Sequence, residues 1–585
     1  MPLTGPFTGS FYGGIAATLA SIPYSWPCAL NGRGYMLDDL RAEDHVERSV
    51  ASQKQQFVSS DEPGERSLNP EGAWRRAWSS WHHGAGQTHR EGEGADTYRF
   101  RSSKGVNPWV RGELTLLDDT ENAHSAGGSS VQMVASQGYL YYLDGQTVYR
   151  TDLTTTTACS GTPAATATGI CSTGSAVYVA FGTSDVYKIT GTTGSSFVAS
   201  DMDVVGAAKQ RILGARTNTL YDLSAGSATT LLAHNDTSFR WVAFADGTSH
   251  IYAAGNAGSA AAIYRVAVTD DATALDVPII AGRLPFGETV TGLFGYAGLL
   301  FIGTSLGFRV AQQGSGGDLA IGPLVELGVP VYGFAAWRQF VWFTWSTFDA
   351  TSSGVGRINP TVQHADGSFA YASDLMAAAT GTVRSVAVLD GEVAFGIDTS
   401  GVWKSTGTPV ASGDVDSGIV RFDVTESKLL VGGSAGYVGP GRVALSASVD
   451  GGAFSTLNES GFNRSGSWFE LRITLTETTG TSPTVTSAVL RAFELSRPTR
   501  LLIVPLLMHD RVVRFGGAEQ RFDVQAALDD LRTLWSEGTP TIYQEGHESW
   551  AVTVEDYEYR KTHEAIEGTR HTWQGTCTVK LKVLT

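Results

Sequence analysis

The chain has 585 residues, more than one domain accommodates, and 42% of them are hydrophobic, with 69 glycines against 19 prolines; this is the composition of a folded, turn-rich β protein and not of a disordered one. Forty-two basic against 58 acidic residues leave a net charge of −16, which argues against a dedicated nucleic-acid surface, since that needs clustered Lys and Arg to displace phosphate counterions. No apolar run approaches the length of a membrane span, and residues 501–507 (Leu-Leu-Ile-Val-Pro-Leu-Leu) read as a buried strand, so no membrane insertion is expected.

Residues 1–105 read as an extended N-terminal arm. The first six residues carry no basic group, so the mild apolar patch at 15–22 is a poor signal peptide. Aromatics, Pro and Gly then alternate with charge around Trp26, Tyr35 and the stretch Trp74-Arg75-Arg76-Ala77-Trp78-Ser79-Ser80-Trp81. Rings this dense must be buried, because each covers roughly 150–250 Å². Trp and Arg are enriched at interfaces, so the arm is expected to embrace a neighbouring subunit; the alternative is that it wraps its own propeller. His82, His83 and His89, with Glu91 and Glu93, match no zinc pattern and are expected to form a polar turn, with no metal or cofactor.

Within residues 106–440, from about Tyr139 to Lys404, one pattern returns seven times. Each copy is an apolar strand, a Gly/Asp/Ser turn, then a triplet that usually carries an aromatic and a basic residue. The triplets centre on Tyr149, Tyr187, Tyr221, Tyr264, Phe308, Gly356 and Trp403, spaced 34 to 48 residues apart. That period, with alternating and β-branched content in place of 3.6-residue periodicity, marks four-stranded β-propeller blades. A seven-bladed propeller is predicted, with eight as the alternative if residues 429–438 form another blade. The repeated aromatic is assigned to packing between blades, and residues 110–117 to a strand closing the ring. Cys159 and Cys171 read as two free thiols rather than a disulfide clip, and Cys28 and Cys577 stand alone.

Residues 441–497 alternate as a small β-sandwich-like module, with a hairpin at Asp450-Gly451. Residues 498–585 read as an α+β module. Asp523 caps a helix whose apolar positions are Val524, Ala527, Leu528, Leu531, Leu534 and Trp535, and Gly538 and Pro540 stop it. The last strand alternates Cys577, Val579, Leu581 and Val583 with Lys580 and Lys582, and is predicted to be an edge strand protected or paired in an assembly.

Residues 30–35 (Leu-Asn-Gly-Arg-Gly-Tyr), Gly64-Glu65, and the run from Trp74 through Ser80-Trp81-His82-His83-Gly84-Ala85-Gly86-Gln87 resemble the N-terminal arm of minor tail proteins of long-tailed, siphovirus-like bacteriophages. The final 90 residues are similar in layout to their small tube-like or distal-tail modules. The resemblance implies a structural virion protein of the tail tip or baseplate, assembled in the host cytoplasm. Its partners would be other phage tail proteins and copies of itself in a trimer or hexamer, with the propeller as spacer or as a head facing a host surface receptor. Trp26, Tyr35, Trp74, Arg75, Arg76, Trp78, Trp81, Lys580 and Lys582 are the expected interface residues, and no catalytic residue is carried over. Two other classes compete. A glycan-cleaving propeller needs paired carboxylates, for which Asp144, Asp185 and Asp222 are the candidates, although Asp is also a default turn residue. A glycan- or protein-binding propeller would use Trp337, Trp342, Trp345 and Trp403 as stacking platforms.

Overall fold

The computed structural model describes residues 26–38, 46–50, 58–59, 74–87, 99–269, 274–349, 351–422, 427–457, 464–494, 499–513, 519–545, 548–567 and 570–583. The chain divides into two units, Met1–Gln55 with Leu495–Thr585, and Gln56–Glu494.

The larger unit contains seven antiparallel four-stranded sheets. Blades 1 to 6 are contiguous in sequence, at 133–158, 169–201, 204–233, 240–283, 290–326 and 334–377. Blade 7 takes three strands, Val383–Leu389, Glu392–Ile397 and Gly401–Pro409, and borrows its outermost strand, Asp118–His124, from before blade 1. All seven repeated triplets fall on the third strand of their blades. The fold is a seven-bladed β-propeller.

The second strands explain why the ring holds. Leu140 to Leu143 are all buried, yet their side chains enter two different cores. Leu140 and Tyr142 face the core shared with blade 7, whereas Tyr141 and Leu143 face the core shared with blade 2. Phe301 and its neighbours Leu300 and Ile302 divide in the same way between blades 6 and 4. Each junction between successive blades thus has its own hydrophobic cluster. Some of the repeated aromatics sit in these junctions, as Phe308 does against Phe343 of the next blade at 4.9 Å between centroids. Polar staples reinforce them. Ser385 Oγ of blade 7 donates to Val131 O before blade 1 at 2.8 Å, and Thr291 Oγ1 of blade 5 donates to Val331 O before blade 6 at 2.5 Å.

Closure departs from expectation by one strand. Residues 110–117 supply only Thr115–Leu116, paired with Val106–Asn107, while Asp118–His124 pairs with the third strand of blade 7 through Glu121 opposite Lys404 and Asn122 opposite Trp403. The closing segment (Asp-Asp-Thr-Glu-Asn-Ala-His) has no apolar alternation, and none of its residues is buried on either face. Among the described residues there is no eighth blade: Lys428–Val438 pairs instead with Thr484–Glu494 and Arg464–Gly466, since the ring is already closed.

That strand belongs to a sandwich of two five-stranded sheets. One contains Ser412–Val420, Arg442–Val449, Phe469–Thr476 and, from the N-terminal segment, Ser102–Lys104; the other contains Lys428–Val438, Thr484–Glu494 and the N-terminal Trp74–Trp78. The sandwich therefore takes strands from 412 onward and not only from 441, and residues 74–78 and 102–104 of the arm are part of it. Its predicted hairpin is present. Asp450 and Gly451 have φ of 48° and 76°, both left-handed as an Asp-Gly turn requires, and Asp450 Oδ1 accepts from the Ser467 and Trp468 amides.

The smaller unit is a closed barrel. Strands run in the order Arg33–Leu37, Cys28–Leu30, Thr541–Glu545, Glu548–Glu567, Arg570–Val583, Thr499–His509, and the last returns to the first through Met36 opposite Leu507. Val46–Val50 pairs further along Thr499–His509. Helix α1 (Val524–Glu537) has Asp523 accepting from Ala526 N at 3.0 Å and ends on Gly538 at φ 60°. It places Val524, Ala527, Leu531 and Leu534 in the barrel core. All four cysteines are free and buried.

Removing a ring shared by two blades leaves a void that neither sheet can collapse into. Phe343→Ala, at a position with 0% exposure, is expected to cost about 3–5 kcal/mol, measured by denaturant unfolding followed by tryptophan fluorescence.

Candidate interaction sites

Most of the sequence-predicted interface residues whose side chains are described prove to be covered by their own chain. Trp78 and Trp81 are 7% and 2% exposed, in the sandwich core with Phe100, Leu114 and Leu471. Arg76 is buried over the Trp78 ring at 5.6 Å, and Arg75, half-buried, occupies the same strand, paired opposite Arg491. Trp74 lies in that strand opposite Ala492. Tyr35 is 2% exposed in the barrel core and meets Phe522 edge-on at 5.8 Å, with Trp26 at 5.9 Å from the same ring. The arm thus completes two domains of its own chain and does not leave these rings for a neighbour. The physical demand for burial was read correctly; the acceptor was not.

Lys580 and Lys582 are exposed, but their strand is not an edge. It lies between Glu548–Glu567 and Thr499–His509, and Lys580 Nζ meets Asp556 Oδ2 at 2.7 Å while Lys582 meets Glu555 at 3.9 Å. One-sided alternation reports a solvated face, and an interior strand of a barrel has one too.

The propeller candidates are mostly occupied locally. Asp185 accepts from Ser196 Oγ, and Asp222 faces Arg211 and accepts from Ser224. Trp342 is buried, Trp345 is stacked on Phe343 at 5.6 Å, and Trp403 Nε1 donates to Ser400 Oγ at 3.0 Å. Trp337 is half-buried, with Arg338 over its ring at 5.9 Å.

Two polar constellations were not anticipated. In the first, Arg357 of blade 6 pairs with Asp374, donates to Asn107 Oδ1 at 3.1 Å, and lies 5.1 to 5.9 Å from the Phe340, Trp342 and Trp109 ring centroids. Burial pushes the Asp374 carboxyl up, and Arg357 opposes that shift. The basic place of the triplet was visible in sequence; its enclosure by residues 107 and 109 was not.

The second lies where residues 80–87 cross blade 6. Ala85 N donates to Tyr371 O at 2.7 Å. Gly84 has φ +80°, and a Cβ there would stand 2.6 Å from Tyr371 O, so only glycine fits. Beside this crossing, the His82 and His83 rings are 4.2 Å apart, and His364 of blade 6 is 6.3 Å from His83. His89, Glu91 and Glu93 lie outside the described residues, among which no group of His, Cys, Asp and Glu is arranged to hold a metal. A surface feature also went unread. Around the outer strand of blade 4, Val277, Ile279 and Phe286 are 67%, 57% and 85% exposed, with Ile280 at 39%.

Removing one member of the buried ion pair strands the other. Asp374→Asn is therefore expected to cost about 3–5 kcal/mol, and Arg357→Met with Asp374→Leu to recover more than half of it, read from the midpoints of denaturant unfolding curves.

No family model and no curated protein matches the chain. Among solved structures, a streptogramin B lyase is 14% identical at a TM-score of 0.38, covering 49% of this chain and 96% of its own. Virginiamycin B lyase from Staphylococcus aureus is 13% identical at 0.38, covering 50% and 98%. BamB from Moraxella catarrhalis is 9% identical at 0.28, covering 50% and 96%.

Proposed function

We propose that the protein is a non-catalytic structural component of a long-tailed bacteriophage tail tip or baseplate, assembling through its barrel into a symmetric ring with the propeller as spacer or receptor-facing head. The observation that carries this reading is the ribbon formed by Glu548–Glu567 and Arg570–Val583. The neighbouring strand Thr499–His509 ends opposite Gln574, yet the ribbon continues to Glu567 opposite Arg570, about 13 Å further at ~3.3 Å per residue. A two-stranded ribbon carried beyond its sheet offers unpaired backbone that a neighbouring chain can extend. The resemblance at residues 30–35 and 74–87 supports the same reading. Assembly is assigned to the ribbon and not to the arm, whose Tyr35, Trp78 and Trp81 are already buried at home.

A second reading, a propeller that binds a protein or glycan, is favoured by the exposed apolar side chains of Val277, Ile279 and Phe286. It is compatible with the first, since a tail-tip head can also bind a receptor.

Light scattering on the purified full chain is expected to give three or six times the chain mass. Replacing residues 564–573 by a short turn should yield monomers that keep the propeller's unfolding transition. A monomer throughout the micromolar range, for the full chain alone and with its tail partners, would overturn the assembly reading.

A further inference from the structure

We propose that the crossing of residues 80–87 over blade 6 is an acid-sensitive clasp, in which His82, His83 and His364 hold the strap only while their imidazoles are neutral. The strap is fastened at its C-terminal end. Gln87 Oε1 accepts from Ile419 N of the sandwich at 2.7 Å, the Gln87 backbone N–H donates to Phe100 O, and Ala85 N donates to blade 6 at Tyr371 O. The imidazoles lie N-terminal to these fastenings and on the blade 6 turn, tilted against one another, with centroids 4.2 Å apart for His82 and His83 and 6.3 Å apart for His83 and His364. The charged groups that face them come from three elements. The strap side contributes Arg99, the turn between Val106–Asn107 and Thr115–Leu116 contributes Arg111, and the blade 6 turn contributes Asp366, which pairs with Arg99 at 3.3 Å. Ser80 Oγ lies 2.5 Å from His82 Nδ1. Protonating the cluster would therefore set three imidazolium ions and two guanidinium groups against one carboxylate that already has a partner.

The electrostatics work in the same direction. Burial, then Arg99, holds His364 at about 4, below its ordinary 6.5. Burial likewise lowers His82 and His83, with Arg111 adding to both. A histidine whose folded value is depressed contributes stability that is complete above its unfolded value and is lost as pH falls through that value toward the folded one. The window is thus mildly acidic, below about 6.5. Release would expose Phe369–Ala377, the outer strand of blade 6, along the stretch that Ala85 covers.

Hydrogen exchange on the full chain tests this. The strap amides of Gly84, Ala85, Gly86 and Gln87 are expected to lose protection by more than about tenfold between about pH 7.5 and about pH 5, after correction for intrinsic rates, with amides of blade 2 changing far less. With His83→Gln and His364→Gln together, the loss should shrink to about twofold or less. Strap protection unchanged in the wild type down to about pH 4.5 overturns the proposal without reference to any variant. So does an equal loss in the double variant.

Discussion

Blade-on-blade burial is the constraint on which the propeller depends. A four-stranded sheet with a second strand such as Leu140–Leu143, apolar on both faces, cannot exist in water by itself. Each large side chain buried at a junction contributes roughly 1.5–3 kcal/mol, and every blade draws on two junctions. An open ring would leave two apolar faces wet, so closure matters as much as any single core. It is made by an apolar junction between blades 7 and 1 and by a strand from before blade 1 hydrogen-bonded to the last blade. Both ends of the propeller are thereby held in one sheet, and fraying at either end must break that ladder first.

The second dependency is how the N-terminal segment is used. Residues 74–116 contribute strands to both sheets of the sandwich and reach blade 6 at the Gly84 crossing and the Arg357 enclosure. These contacts are polar and closely fitted where the blade junctions are apolar and extensive. A buried guanidinium between three rings tolerates little change in partner, which makes such points determinants of arrangement more than sources of stability. The barrel repeats the theme, because Asn31 N donates to Ile542 O and Asn31 Oδ1 accepts from Thr541. Strands more than 500 residues apart in the chain must meet, so this unit cannot be completed until both ends are present.

Much of the architecture was legible in the residues themselves. The triplets at 149, 187, 221, 264, 308, 356 and 403 place the third strand of every blade. Asp523 and Gly538 bound the helix, and Asp450-Gly451 marks its turn. These signals are local, because period, capping and left-handed turn geometry act over a few residues. The candidate site was legible only in part. Three tryptophans within eight residues announce burial, and His82-His83 announces a polar cluster, but His364 is nearly 300 residues away and carries no mark of its own.

Local pattern states that a face must be covered and leaves the cover unnamed. By itself the sequence determined a β-propeller of seven repeats, a capped amphipathic helix, and an N-terminal stretch too aromatic to stay solvated. Tertiary structure alone decided that polar Asp118–His124 closes the ring, that Trp78 and Trp81 are buried in the chain's own sandwich, and that the lysine-bearing last strand is interior to a barrel. In each case the deciding partner lies hundreds of residues away or on a strand with no apolar alternation, and pairing of backbone to backbone leaves no trace in side-chain order.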